Sequence, residues 1–489
     1  MYKTLILLIF LILSFPFPLY AKDQAIKKMS IEERIEYLQK EIEELKRLLK
    51  KQREERRIEQ ERERKEIIPV KIQAPQIISP KNVKVSLGGQ YRINFYSARN
   101  ESNNVLKDYD DQRAARVRIR QNIDLEFSNG LSTHLQLELQ HTSDNVTTTD
   151  MRLGNKKTNI SVRHAVIRYS EKGMILEAGI VPLHDFFHDA MFSSDWDYNP
   201  VAANFIIPIG KNGKLRLFAA DLKEGEEDIS QDDFIHYQAD YLFKIGKVNF
   251  TISGTALNLQ EDPSYGKSDA WHYNFGIGYS FPFRDIKIDG FLMGSYTEKE
   301  LIGTDDDANG IAMLLELKRR IGKGDFGFLF SYATGNDEGE GFLPPMAFSK
   351  TFGYWGYTGI LTVQGPTDTG FDFDAVNISN NGLGLTTFQA KYVFPVMDKL
   401  SLYTAAGWFG NTDAPSGRKS TLGIDTLFMG IYKITNFLEL DLGLAYAHLR
   451  DSVSGYFQGV QHGGSVLFNQ DIGKKRDKLV GFGRLQAEF

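Results

Sequence analysis

The chain has 489 residues, of which 12% are aromatic and 25% charged, enough for several domains or for one large barrel. It contains no Cys, which excludes thiolate metal sites, disulfide staples and a Cys nucleophile. The formal net charge of −5 is modest, and no basic tract interleaved with aromatics points to nucleic acid.

Lys3, the apolar run 5–13, Pro16, Pro18 and Ala21 predict a secretory signal peptide over 1–21. No later stretch offers 18 consecutive apolar residues, so any entry into a membrane requires a closed barrel. From Ile31 the period changes. Ile31, Ile35, Leu38, Ile42, Leu45 and Leu49 step at coiled-coil spacing, with Glu41 and Lys46 beside the seam. This predicts a periplasmic coiled-coil helix over 22–68. A helix of about forty residues reaches roughly 60 Å, long enough to touch the cell wall. Pro69, Pro75 and Pro80 predict an extended linker over 69–82.

From Val83 to Phe489, alternating runs are divided by separators that are short and long in turn. The short ones are Asn129-Gly130, Glu171–Gly173, Lys211–Gly213, Gly246-Lys247, Pro282–Asp285, Ile321–Asp325, Met397–Lys399 and Thr435–Phe437. Long ones lie near 99–112, 142–158, 183–200, 222–232, 260–269, 299–309, 336–380, 411–419 and 450–475. The pattern predicts an all-β transmembrane barrel of about 18 antiparallel strands. A soluble sandwich has no reason to sort its loops by length onto one end.

The faces agree with that reading. Val85, Leu87, Tyr91, Ile93 and Phe95 oppose Lys84, Ser86, Gln90, Arg92 and Asn94. Val117, Ile119, Ile123 and Leu125 oppose Arg116, Arg118, Arg120, Asn122 and Asp124. Such ionic faces suit an aqueous channel better than a dry core, where unpaired charge costs several kcal/mol. The final strand sets Leu479, Gly481, Gly483, Leu485 and Phe489 against Val480, Phe482, Arg484, Gln486 and Glu488. Tyr241, Phe243, Tyr392, Phe394 and Tyr432 suit an interfacial girdle.

Two features stand out as a candidate constriction. Arg116, Arg118 and Arg120 form a rail on one strand face, joined by Arg92, Arg163 and Arg216 on nearby strands. The segment Leu183–Pro200 brings Asp185, Asp189, Asp195 and Asp197 with His184 and His188. An acidic inward loop facing a cationic rail makes a transverse field that sorts polar solutes. The alternative is that the arginines only pair with Asp124, Glu126 and Glu138.

Leu87–Phe95, the Arg-Val-Arg-Ile-Arg core at 116–120, and the Glu177–Val181 strand running into an Asp- and Trp-containing loop resemble the porin superfamily. Within it the pattern is similar to alginate-export-type porins, eighteen-stranded barrels with an arginine-rich lumen. The coiled coil is similar to that of some trimeric porins. The resemblance implies an outer-membrane passive channel for small hydrophilic or charged solutes, contacting lipid and lipopolysaccharide, and a homotrimer. Ile at a with Leu at d leaves a dimer open. An alginate-like export channel for an anionic polysaccharide is the runner-up, with a barrel enzyme or adhesin behind it.

Other motifs fit less well. Asp305-x-Asp307-x-Asn309-Gly310 with Glu316 matches the EF-hand pattern, but Ile311–Leu317 alternates as a strand and carries Glu316 away. His184 and His188 meet at a metal only across a helical turn, so no metal or cofactor is assigned. Trp355 and Tyr357, with Tyr354, offer sugar-stacking faces or pack on their own loop. No Gly-x-Ser-x-Gly, His-Glu-x-x-His or phosphate loop is present, and no catalytic residue is assigned.

Overall fold

The computed structural model describes residues 83–100, 111–143, 158–196, 198–223, 234–259, 269–302, 306–336, 339–349, 355–362, 375–413, 420–450 and 476–489. The expected signal peptide, coiled-coil helix and linker lie outside the described residues, as does Asp197.

The first strands are β1 (Val83–Asn100), β2 (Asp111–Phe127), β3 (Leu131–Ser143), β4 (Thr158–Glu171), β5 (Met174–Ile180) and β6 (Val201–Ile209). They are followed by β7 (Gly213–Lys223), β8 (Phe234–Ile245), β9 (Val248–Leu259), β10 (Ala270–Phe283), β11 (Ile286–Thr297) and β12 (Ala308–Ile321). The last are β13 (Gly324–Ala333), β14 (Leu385–Met397), β15 (Leu400–Gly410), β16 (Thr421–Lys433), β17 (Leu438–Leu449) and β18 (Arg476–Glu488). Each pairs antiparallel with its neighbours in sequence, and β1 pairs with both β2 and β18, so the 18-stranded sheet closes on itself. The short separators read from the sequence all fall at one end of the barrel, at the joins of β2–β3, β4–β5, β6–β7 and so on to β16–β17.

Alternation sets the two surfaces. Leu87 and Phe275 are about two-thirds exposed on the outside, whereas Arg92, Asn94, Asp240 and Asp441 are buried on the inside. Tyr241 stacks on Phe243 at 5.1 Å between ring centres, and Tyr392 on Phe394 at 5.8 Å, as pairs two residues apart on one strand.

Closure happens at a notch. The Gly89 amide donates to the Phe489 carbonyl at 2.9 Å, and the Phe489 amide donates back to Gly89 at 3.2 Å. Tyr91 meets the Phe489 ring edge-on at 5.3 Å. A Cβ at Gly89 would stand 2.4 Å from the Arg120 carbonyl oxygen, so only glycine lets β2 and the chain end approach from both sides. We expect Gly89→Ala to destabilise the barrel by about 1–3 kcal/mol, the usual cost of overpacking. Denaturant unfolding followed by gel mobility of unheated samples checks this; an unchanged midpoint would show that the seam has slack.

Candidate functional site

The arginines form a patch whose shape follows from strand register. Arg118 stands opposite Arg92, Arg116 opposite Asn94, and Arg120 opposite Gln90. On the other side of β1, Asn94 faces Arg484 and Arg92 faces Gln486. Arg484 therefore joins the patch, a position that only closure of the chain ends reveals. Arg163 arrives by a β-bulge. Gln136 pairs with His164 and Leu137 with Val162, so Arg163 is the extra residue, and both it and His164 point inward.

Neutral acceptors hold much of this charge. Arg92 Nε donates to Gln486 Oε1 at 2.6 Å, Arg118 Nη2 to Gln90 Oε1 at 2.8 Å, and Arg163 Nη1 to Gln136 Oε1 at 3.0 Å. Of the three carboxylates expected to pair with the rail, Glu138 does so. It accepts from Arg120 at 2.5 Å and lies 3.9 Å from Arg163. Asp124 instead meets His134 at 2.6 Å, and Glu126 meets Lys84 at 3.1 Å. A chain then runs from Asp124 through His134 to His164 at 3.3 Å and on to Asn199 at 3.1 Å, linking wall to loop. Sequence spacing gave no hint of it.

The segment 181–200 enters the lumen as a bent continuation of the β5–β6 hairpin. Val181 donates to Pro200 at 3.0 Å, Leu183 to Tyr198 at 3.4 Å, and His184 bridges Ser193. The chain reverses through left-handed backbone at His188 and Asp189 (φ 65° and 57°). Phe187 packs edge-on against Phe291 of β11 at 5.5 Å, in space kept by Gly278, whose Cβ would lie 3.0 Å from that ring. His188 Nδ1 reaches 3.4 Å from Glu316 Oε2 on β12. The loop thus crosses the lumen.

The four aspartates do not act together. Asp185 is buried and faces the loop's own backbone, accepting from the amides of Phe187 and Met191 (2.5 Å each), Phe192 (2.9 Å) and Asp189 (3.0 Å). Burial, then the charge of Asp189, pushes its carboxyl up to about 7 against those bonds. Asp189 pairs with His184 at 3.1 Å, and Asp195 stands exposed near both. Arg163 Nη2 donates to the Ser194 carbonyl, so loop and rail touch here. Arg216 lies apart from the rail, under the loop on β7, bound to Asp240 at 2.6 Å and to the His184 carbonyl at 2.7 Å, with Phe186 at 4.1 Å.

The described parts of a second long segment also pack inside. In 334–384, Tyr357 donates to Glu316 Oε1 at 2.5 Å, its ring carries Lys391 at 4.1 Å, and Asp425 accepts from Ile360 and Leu361 at 2.8 and 2.7 Å. Met346 donates to the Met191 carbonyl at 3.1 Å, joining the two loops. Trp355 and Tyr357 are almost wholly buried, so they offer no sugar-stacking faces, and Tyr354 lies outside the described residues. Asp307 is engaged by Tyr296 at 2.7 Å and the Lys299 amide at 3.0 Å, while Glu316 points into the lumen, as the strand reading expects. Between loop and rail remains a cleft of about 570 Å³, lined by Gln90, Arg120, Asn122, Gln136, His164, His184 and Asp195 among others.

No protein-family model and no curated protein matches the chain. Among solved structures it is similar to Acinetobacter baumannii OccAB1, with 8% identity over 83% of this chain and 97% of that one, at TM-score 0.51. It is similar also to Pseudomonas aeruginosa OccK5 (OpdH), at 11%, 83%, 98% and 0.50, and OccK3 (OpdO), at 11%, 83%, 96% and 0.50. What this chain shares with them is the barrel fold.

Titration of the loop gives a signed expectation. The carboxyl of Asp185 is raised by burial, and the imidazole of His184 is raised by its bond to Asp189. Both contribute order that is complete below their ordinary values and lost as pH rises through the raised ones. His188 is lowered by burial, so its contribution is complete above its ordinary value near 6.5 and does not oppose the other two there. Amide-exchange protection of 183–193 should therefore fall as pH rises above about 6.5, through the Asp185 value of about 7 and the raised value of His184. Asp185→Asn should flatten the Asp185 part; a wild-type profile without slope would show that the loop is held elsewhere.

Proposed function

We propose that residues 83–489 form an outer-membrane porin through which small hydrophilic or charged solutes diffuse passively. The observation that carries this reading is the inner wall of β18, β1, β2 and β4, which bears Arg92, Arg116, Arg118, Arg120, Arg163 and Arg484, with Arg120 and Arg163 lining a polar cleft. A closed sheet satisfies its backbone without water, which is what a hydrocarbon surround requires. Guanidinium groups keep their charge at any physiological pH, so the patch is a permanent cationic surface. Asp189 and Asp195 supply the facing negative charge, and the field between the two sides orients a solute in transit. Arg216 and Asp185 shape the loop that bounds the cleft.

An anionic-polysaccharide exporter is the second reading, favoured by the same arginines. Two packed loops across the lumen count against a polymer and for small solutes. The segment 22–68 is proposed to pair with its copies beneath a homotrimer and to reach the cell wall.

In a planar bilayer the protein should give stable conductance, and deletion of 183–200 should raise it. A barrel that inserts yet never conducts, even after that deletion, would sink the channel reading. The triple variant Arg116→Ala, Arg118→Ala, Arg120→Ala should shift the reversal potential in a salt gradient towards cation preference. An unchanged conductance and reversal potential would make the patch structural.

A further inference from the structure

We propose that the cleft-facing side of the 181–200 loop is a binding site for a divalent transition metal, with His184, Asp189 and Asp195 as its ligands. Donor atoms of these three residues lie within 4.8 Å of one another. One imidazole with two carboxylates suits zinc, cobalt or nickel; calcium and magnesium prefer an all-oxygen shell. Bonds of about 2.1 Å in a tetrahedral site set ligands about 3.4 Å apart. His184 and Asp189 are already 3.1 Å apart, so the exposed Asp195 alone has to move in, by about an ångström. Among the described residues the Asp195 carboxylate takes no hydrogen bond; its backbone amide alone is engaged, by Ser193 Oγ at 3.1 Å.

The surroundings support a site rather than a chance cluster. Arg216 holds the His184 carbonyl at 2.7 Å, and Asp185 binds the amides on both sides of the turn that presents Asp189. Those contacts fix the ligand backbones, as outer-shell groups do in metal sites. The nearby cations Arg163 and Arg216 are offset by Glu138 and Asp240. The adjoining cleft gives an entry path and room for water on the remaining coordination positions. Three protein ligands with an open position make an exchangeable site, in contrast to a closed structural one. Protons compete for His184, so affinity rises with pH.

The test is titration of the detergent-solubilised full chain with zinc chloride by calorimetry, with the visible spectrum of added cobalt as a second readout. Neither needs the protein to conduct, so failure here and failure of the channel reading are separable. One ion should bind per chain, and His184→Ala or Asp195→Asn should each weaken it more than about tenfold. His188→Ala should leave it unchanged, since His188 faces Glu316 on the opposite side of the loop. Asp195→Asn alters an exposed side chain, so its effect is separable from misfolding. Absence of saturable binding, wild-type affinity in both ligand variants, or loss of binding in His188→Ala would each overturn the proposal.

Discussion

Backbone pairing between the first and last strands is the interaction on which the rest depends. An unpaired amide or carbonyl shut away from water costs several kcal/mol, and an open 18-stranded sheet would leave two edges of them unpaired. Closure requires the chain end to lie against the start of β1, where Gly88 and Gly89 leave space for Phe489. Once closed, the inner wall has fixed neighbours. Arg484 is brought beside Asn94 and Asp441, and the arginine patch becomes a two-dimensional surface instead of a line along one strand.

Inside that wall the lumen is divided. On the β1–β4 side, most inward residues are ionic or polar, with Ala98 and Val166 among the apolar exceptions, and a cleft remains. On the side of β11 to β16, inward positions include Phe291, Leu314, Leu329, Phe409 and Leu427, which pack with Phe187, Phe342, Tyr357 and Ile360 of the two loops in one buried cluster. Polar groups on this second side serve the loops: Asp425 caps the amides of Ile360 and Leu361, and Gln389 accepts from the Tyr357 amide at 2.7 Å. A buried carboxylate that accepts several amides is a strong anchor, because removing it strands each donor.

The barrel was legible because its code is local. Period-two alternation and turn residues such as Asn129-Gly130 set strands, faces and loop ends without knowledge of distant partners. The rail at 116–120 was legible for the same reason. What could not be read depends on contacts far apart in sequence. Nothing near Asp185 says that its carboxylate folds onto its own loop, and Arg216 is separated from the rail by the loop that covers it. Arg163 needed a bulge, which adds one residue to a strand without leaving a Gly or Pro mark. Apolar residues on both faces of β11 to β16 were compatible with a wet wall or a dry one, and the choice rests on loops whose own pattern is irregular.

A dry cluster spanning wall and loops limits how the interior can move. Side chains packed at the density of a protein core do not yield by degrees, and each large ring drawn into water costs about 1.5–3 kcal/mol. Swinging either loop aside would expose Phe187, Phe342 and Ile360 together, and the bond from Met346 to Met191 couples one loop to the other. On the rail side the walls are charged side chains held by individual hydrogen bonds, and wall and loop meet there where His164 bonds Asn199 and Arg163 bonds the Ser194 carbonyl.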